Sequence, residues 1–193
     1  MSGSGVWTAI EMKKRFVILD RDGTIIDECS YLSDPDQVTL ISGAAEALRK
    51  LKGMGLGLAV VTNQSAVGRG LLNENRLKEI HHRLAEILKS EGVQLDGLYY
   101  CPHKPEDGCW CRKPSIGLMK MAAEELNFDL SSSFVVGDKA SDIEMGRRAG
   151  AITFRVRTGY GAQVDPATAP DHVVADLAEA AEKIAALLKS QRR

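Results

Sequence analysis

Long hydrophobic runs are missing from this 193-residue chain. No stretch of ~18 or more apolar residues occurs, which excludes a helical membrane span. A surplus of one charge is missing too. With 25 Lys and Arg against 26 Asp and Glu the net charge is -1, which argues against bulk electrostatic binding of nucleic acid. The first residues lack a basic segment followed by an apolar core, so no secretory signal is expected. Internal repeats are absent, and the Ala-rich stretch 175–189 is the one compositionally biased segment. Cysteine is scarce, four residues in all, and three of them fall between 101 and 111. That clustering excludes a distributed disulfide framework. These absences leave a cytoplasmic, monomeric protein without membrane or nucleic-acid partners as the expectation.

What is present is an alternation. Residues 1–14 show no period and read as a flexible lead-in. From residue 15 to 190 a single domain is expected, with 44% apolar residues available for its core. Short β-branched runs at Phe16–Leu19, Leu58–Val61, Leu98–Tyr100, Phe134–Val136 and Ile152–Val156 show little polar alternation, as strands buried on both faces do. Between them the spacing turns helical. Leu77, Ile80, Leu84, Ile87 and Leu88 share one face, with Asn73 placed to cap the start and Gly92 the end. The pattern predicts a Rossmann-like three-layer α/β sandwich around a central, mostly parallel sheet.

In such sheets ligands gather at the carboxyl ends of the strands. There the chain reads Asp20-Arg21-Asp22-Gly23-Thr24, Thr62-Asn63-Gln64-Ser65 and Gly137-Asp138-Lys139, with Asp142 one turn further on. Carboxylates gathered this closely need a cation, and all-oxygen ligation with room for water and phosphate suits Mg²⁺. Lys113 and Lys139 can offset further negative charge, and Thr62 and Asn63 offer donors. This inventory fits phosphoryl transfer, which depends on positioning and charge stabilisation.

A second constellation is Cys101-x-His103-x₅-Cys109-x-Cys111. Three thiols and an imidazole form a complete tetrahedral zinc set. With no position left open the zinc is expected to be structural. Arg112-Lys113-Pro114 follow at once, so the metal would fix the backbone that presents Lys113 and Arg112 to substrate. Cys29 stands apart.

The segments DRDGT (20–24), VVTNQS (60–65), RKP (112–114) and GDKASD (137–142) resemble, in order, the four motifs of the haloacid dehalogenase-like phosphohydrolases. The resemblance implies that Asp20 is the nucleophile and Asp22 the general acid and base. It places Thr62 and Lys113 on the transferring phosphoryl group. Mg²⁺ would sit on the Asp20 and Asp138 carboxylates and the Asp22 carbonyl, with Asp142 orienting the metal site or Lys139. The intervals between motifs are too short for a large cap domain.

The zinc loop is similar to the subset that contains heptose bisphosphate 7-phosphatases and histidinol-phosphate phosphatases. Thr62 to Gly70 resembles the heptose enzymes more. Arg69, Arg112, Lys139 and Arg157 also supply more cations than one phosphate requires. Glu28, Cys29, Ser30 and Tyr31 correspond to the segment that touches the sugar, and Asn63, Gln64 and Ser65 continue the phosphate loop. A Mg²⁺-dependent sugar-bisphosphate phosphatase in heptose precursor synthesis is therefore expected. Histidinol-phosphate phosphatase, a nucleic-acid 3′-phosphatase and a non-enzymatic zinc-loop module are the alternatives. His81 and His82 read as surface or boundary residues of a helix, and His172 as part of a loop.

Overall fold

Strand β1 (Phe16–Leu19) is the pivot of the sheet. Each of its residues is buried, and their alternation decides which layer they enter. Val17 and Leu19 point into one apolar cluster, and Phe16 and Ile18 into the other. A strand with no polar face can only lie between two covering layers. In the computed structural model, which describes residues 13–162 and 168–191, β1 pairs in parallel with β2 (Gly57–Asn63) and with β4 (Phe134–Gly137). Strands β3 (Gly97–Cys101), β5 (Ile152–Val156) and β6 (His172–Val174) complete a six-stranded sheet in the order β3-β2-β1-β4-β5-β6.

Helices α1 (Ala44–Gly53), α3 (Glu74–Ser90) and α6 (Leu177–Ser190) bury their apolar faces in the first cluster. Leu118, Met119 and Ala122 of α4 (Gly117–Glu125) and Met145 of α5 (Ala140–Arg148) enter the second. The short helix α2 (Ser65–Gly68) directly follows β2. The three-layer sandwich is thus as the periodicity predicts. Asn73 caps α3 as expected, its Oδ1 accepting the Arg76 N–H at 2.8 Å.

Strand β2 runs three residues longer than its apolar run and β3 two. The sixth was not anticipated. Its three residues are too few to show a period, and His172, expected in a loop, stacks on Phe154 with ring centroids 4.7 Å apart. Between β1 and α1 the segment holds a 3₁₀ turn at Pro35–Gln37 and an isolated antiparallel bridge from Ile26 to Leu40. Among the described residues nothing there amounts to a cap domain. Most of the expected lead-in, residues 1–12, lies outside the described residues.

Strand order reverses at β1, with β2 and β3 on one side and β4 to β6 on the other. The chain therefore leaves the carboxyl ends of β1 and β4 in opposite directions and opens a crevice above them.

Candidate active site

Register brings the polar residues together. Leu19 lies beside both Val60 and Val136, so Asp20 leaves β1 next to the ends of β2 and β4. Its N–H donates to the Val136 carbonyl at 2.9 Å. Oxygens of Asp20, Asp138 and Asp142 then lie within 4.8 Å of one another, all three side chains buried.

Lys113 answers two of these charges. Its Nζ is 2.8 Å from Asp20 Oδ1 and 2.7 Å from Asp142 Oδ1, and it donates to the Val61 carbonyl at 2.7 Å. Burial alone would discharge this ammonium, but Asp142 and Asp20 outweigh it and hold its pKa above the ordinary value. Burial likewise acts to raise the Asp20 carboxyl, yet Lys113 and Lys139 bring it below the usual carboxylate range. Asp20 is thus kept as an anion. Asn63 fixes the lysine's backbone from β2: Oδ1 accepts the Lys113 N–H at 3.0 Å and Nδ2 donates to its carbonyl at 3.2 Å. The Lys113–Pro114 bond is cis.

Asp138 is compensated only in part, by the charge of Lys139. Tyr160 N–H donates to Oδ2 at 2.8 Å, but Oδ1 is buried without a hydrogen-bond partner. Burial and the charge on Asp20 push its carboxyl up to about 7. An orphaned buried oxygen facing two further carboxylates is the donor set a hard divalent cation takes. Gly23 (φ +76°) lies so near that a Cβ there would overlap the Asp138 carboxylate. Gly137 is under the same constraint from Asp142, which accepts the Lys139 N–H at 2.9 Å and so caps α5.

A cleft of about 360 Å³ opens beside this cluster. Eight of the residues expected to bind substrate line it: Glu28, Cys29, Ser30, Tyr31, Asn63, Gln64, Ser65 and Lys139. Lys139 donates to Glu28 Oε2 at 3.1 Å and lies over the Tyr160 ring. Two of the expected residues are not brought there. Arg112 Nη1 donates instead to the His103 carbonyl at 2.9 Å, and Arg69 faces Glu106 at 3.9 Å. Arg157, the fourth cation, is exposed and also does not line the cleft.

Sequence reasoning passed over Tyr160 and Arg21. Arg21 is 1% exposed and carries its guanidinium to Asp22 and Gln64. Its signal was available, since an arginine between two aspartates at the end of a fully buried strand has little water to reach.

The second constellation also closes up. Cys101 ends β3, and its Sγ is 3.5 Å from His103 Nδ1, 3.5 Å from Cys109 Sγ and 3.1 Å from Cys111 Sγ. Tetrahedral sulfurs around zinc stand ~3.8 Å apart, so the four groups surround a volume of the right size in a slightly contracted state. Burial raises the thiols of Cys101 and Cys111, whereas at Cys109 burial is outweighed by hydrogen bonds from Cys111 and Cys101, which bring it down to about 7. A metal ligates thiols as thiolates and would hold all three so.

Comparison with known proteins bears on the family. The HAD-hydrolase-like family model matches residues 110–180. A Pasteurella multocida protein named D-glycero-beta-D-manno-heptose-1,7-bisphosphate 7-phosphatase is 39% identical over 86% of this chain and 94% of its own length. The chain belongs to the haloacid dehalogenase-like hydrolases. An Escherichia coli K12 enzyme of the same name is 37% identical, over 87% of this chain and 92% of that one. The crystal structure of the D,D-heptose 1,7-bisphosphate phosphatase from B. bronchiseptica, complexed with magnesium and phosphate, aligns with a TM-score of 0.80 and 32% identity. The alignment covers 88% of this chain and 97% of that one.

Proposed function

We propose that this protein is a Mg²⁺-dependent phosphatase that removes the 7-phosphate of D-glycero-D-manno-heptose 1,7-bisphosphate, with a structural zinc in the loop 101–111. The observation that carries the chemistry is the Lys113 bridge between Asp20 and Asp142, which keeps a buried carboxylate ionised behind a cleft lined by Asp22 and Lys139. The substrate assignment rests on the full-length relatives that bear this name. Mg²⁺ would be held by Asp20, Asp138 and the Asp22 carbonyl, and when bound it would neutralise phosphoryl charge.

The chain's own residues do the rest. An Asp20 carboxylate oxygen attacks phosphorus as the bond from phosphorus to the sugar oxygen breaks. The proton on Asp22 passes to that departing oxygen. Thr62 and Lys113 hold the phosphoryl oxygens between the two steps. Asp22, now a carboxylate, takes a proton from water, whose oxygen attacks the aspartyl phosphate. Phosphate leaves, Asp20 is regenerated, and Asp22 carries the proton again. Glu28 to Tyr31 and Lys139 would contact the sugar and its remaining phosphate.

Comparison of kcat/KM on heptose bisphosphate and histidinol phosphate, with Mg²⁺ present and zinc retained, tests the reading. A clear preference for the bisphosphate is expected, and Asp20→Asn should turn over neither. Preference for histidinol phosphate overturns the substrate, and an active Asp20→Asn overturns the nucleophile.

A further inference from the structure

Arg21 is an unusual residue to bury. Its side chain is the largest of the fully buried ones, at 1% exposure, and Nη1 has no hydrogen-bond partner. A buried ion pair is weak support for stability because desolvation offsets the attraction. What it offers is orientation, and here the orientation concerns one carboxylate.

Asp22 receives three donors. Arg21 Nη2 reaches Oδ1 at 2.9 Å, and Nε lies 3.1 and 3.2 Å from the two oxygens. From the far side of the sequence motif, Gln64 Nε2 donates to Oδ2 at 2.8 Å. A carboxylate offers about four acceptor positions, so this arrangement leaves roughly one for a proton or a substrate oxygen. Asp22 itself lines the cleft.

The amide of Gln64 is oriented without ambiguity. Its Oε1 accepts from Arg21 Nη2 at 3.0 Å, and a guanidinium has no acceptor, so the oxygen must face it. The NH₂ group is then turned to Asp22 and, at 2.9 Å, to Thr62 Oγ1. One side chain therefore connects the hydroxyl proposed to hold the phosphoryl group with the carboxylate proposed to protonate the departing oxygen.

We propose that Arg21 and Gln64 form a clamp that aims Asp22 at the departing sugar oxygen, which makes them positioning residues for proton transfer rather than substrate contacts. The proposal rests on the reading of Asp22 as the acid and deepens it. In the first step the proton leaves Asp22 for the sugar oxygen and the new carboxylate charge lands beside Arg21. A loosened clamp therefore slows departure only of leaving groups that need the proton.

The test is single-turnover release of the leaving group, which reads the first step alone. Heptose bisphosphate has an alkoxide leaving group, and p-nitrophenyl phosphate one that departs unprotonated. Arg21→Lys keeps the charge and loses the fork, and Gln64→Leu keeps the shape and loses all three hydrogen bonds. Each should slow heptose release by about 100-fold more than it slows p-nitrophenolate release, within the range for general acid catalysis, because the Thr62 contact that Gln64→Leu also removes serves both substrates alike and cancels in that ratio. Gln64→Leu carries the test where Arg21→Lys fails to fold.

Equal losses on both substrates overturn the clamp, and so does a change confined to KM. Asp22→Asn is the reference. If it discriminates between the substrates and the clamp variants do not, the clamp alone falls. If Asp22→Asn itself slows both equally, the acid assignment falls and the clamp with it.

Discussion

The two constellations of this protein flank one lysine and are built in opposite ways. At the strand ends, Asp20 and Asp138 are held by a six-stranded frame, and the short spacing between parallel strands decides where they meet. In the loop from Cys101 to Cys111 there is one short 3₁₀ turn, Pro105–Asp107, and the four side chains are assembled by each other. The first region compensates much of its charge internally through Lys113, whereas the second gathers thiols that burial disfavours ionising. A frame can position groups without an ion, whereas an ion bound by the four side chains would fix a loop with this little regular structure.

Lys113 joins the two regions. From the sheet side Asn63 grips its backbone. From the loop side it follows Cys111 by two residues, and Gln64 N–H donates to the Cys101 carbonyl at 2.7 Å. The comparison breaks most sharply if the lysine is removed. Lys113→Met leaves Asp20 and Asp142 buried and unpaired, which should cost about 3–5 kcal/mol and lower kcat by about 1,000-fold or more. The double variant Lys113→Met with Asp142→Asn should regain much of the stability and none of the turnover. Urea titrations and phosphate-release assays read the two effects separately. Wild-type kcat in the single variant would remove the lysine from the chemistry.

Zinc removal is expected to have a smaller effect and a different signature. The sheet should survive chelation, since both apolar clusters lie mostly outside the loop, and far-UV circular dichroism should change little. Loss of loop constraint by about 3 kcal/mol would lower Tm by roughly 6–12 °C for a chain of this size. The kcat/KM should fall about 10-fold or more as Lys113 loses its seat. Full activity in protein verified to be zinc-free would mean that Asn63 alone positions the lysine.

How much of this could be read from the chain follows the same division. The strands were legible because residues such as Val17 and Ile18 must be buried whichever face they take, and the site because a parallel sheet sends Asp20, Thr62 and Asp138 to one edge. The convergence of Cys101, His103, Cys109 and Cys111 was legible from residue type and spacing. Less legible were contacts set by side-chain direction. Arg112 follows the metal loop as expected, but its guanidinium turns to a loop carbonyl. Lys139 lines the cleft already paired with Glu28. Arg21 was passed over, because linear order does not reveal that β2 delivers Gln64 to it. The sixth strand was hidden by its length.

The smallest expected effect lies at the seam between the regions. His81 on α3 places its ring 5.4 Å from that of Tyr100, the residue before Cys101. Its Nε2 is buried without a partner. Burial, with the nearby charge of Arg21, pushes its pKa down to about 3. The ring is therefore neutral in the folded protein, while an unfolded chain protonates near 6.5. The sign follows: stability from this residue is complete above 6.5 and is lost as pH falls from there toward 3, because the unfolded state takes up the proton first. Between pH 7 and pH 5 the loss amounts to about 2 kcal/mol. His81→Phe keeps an aromatic ring against Tyr100 and removes the titration, so its stability should fall less over that interval by the same amount. Urea unfolding of both proteins at the two pH values decides it. Parallel losses would mean that His81 reaches water or a partner in solution, and the seam would be looser than the packing of its ring implies.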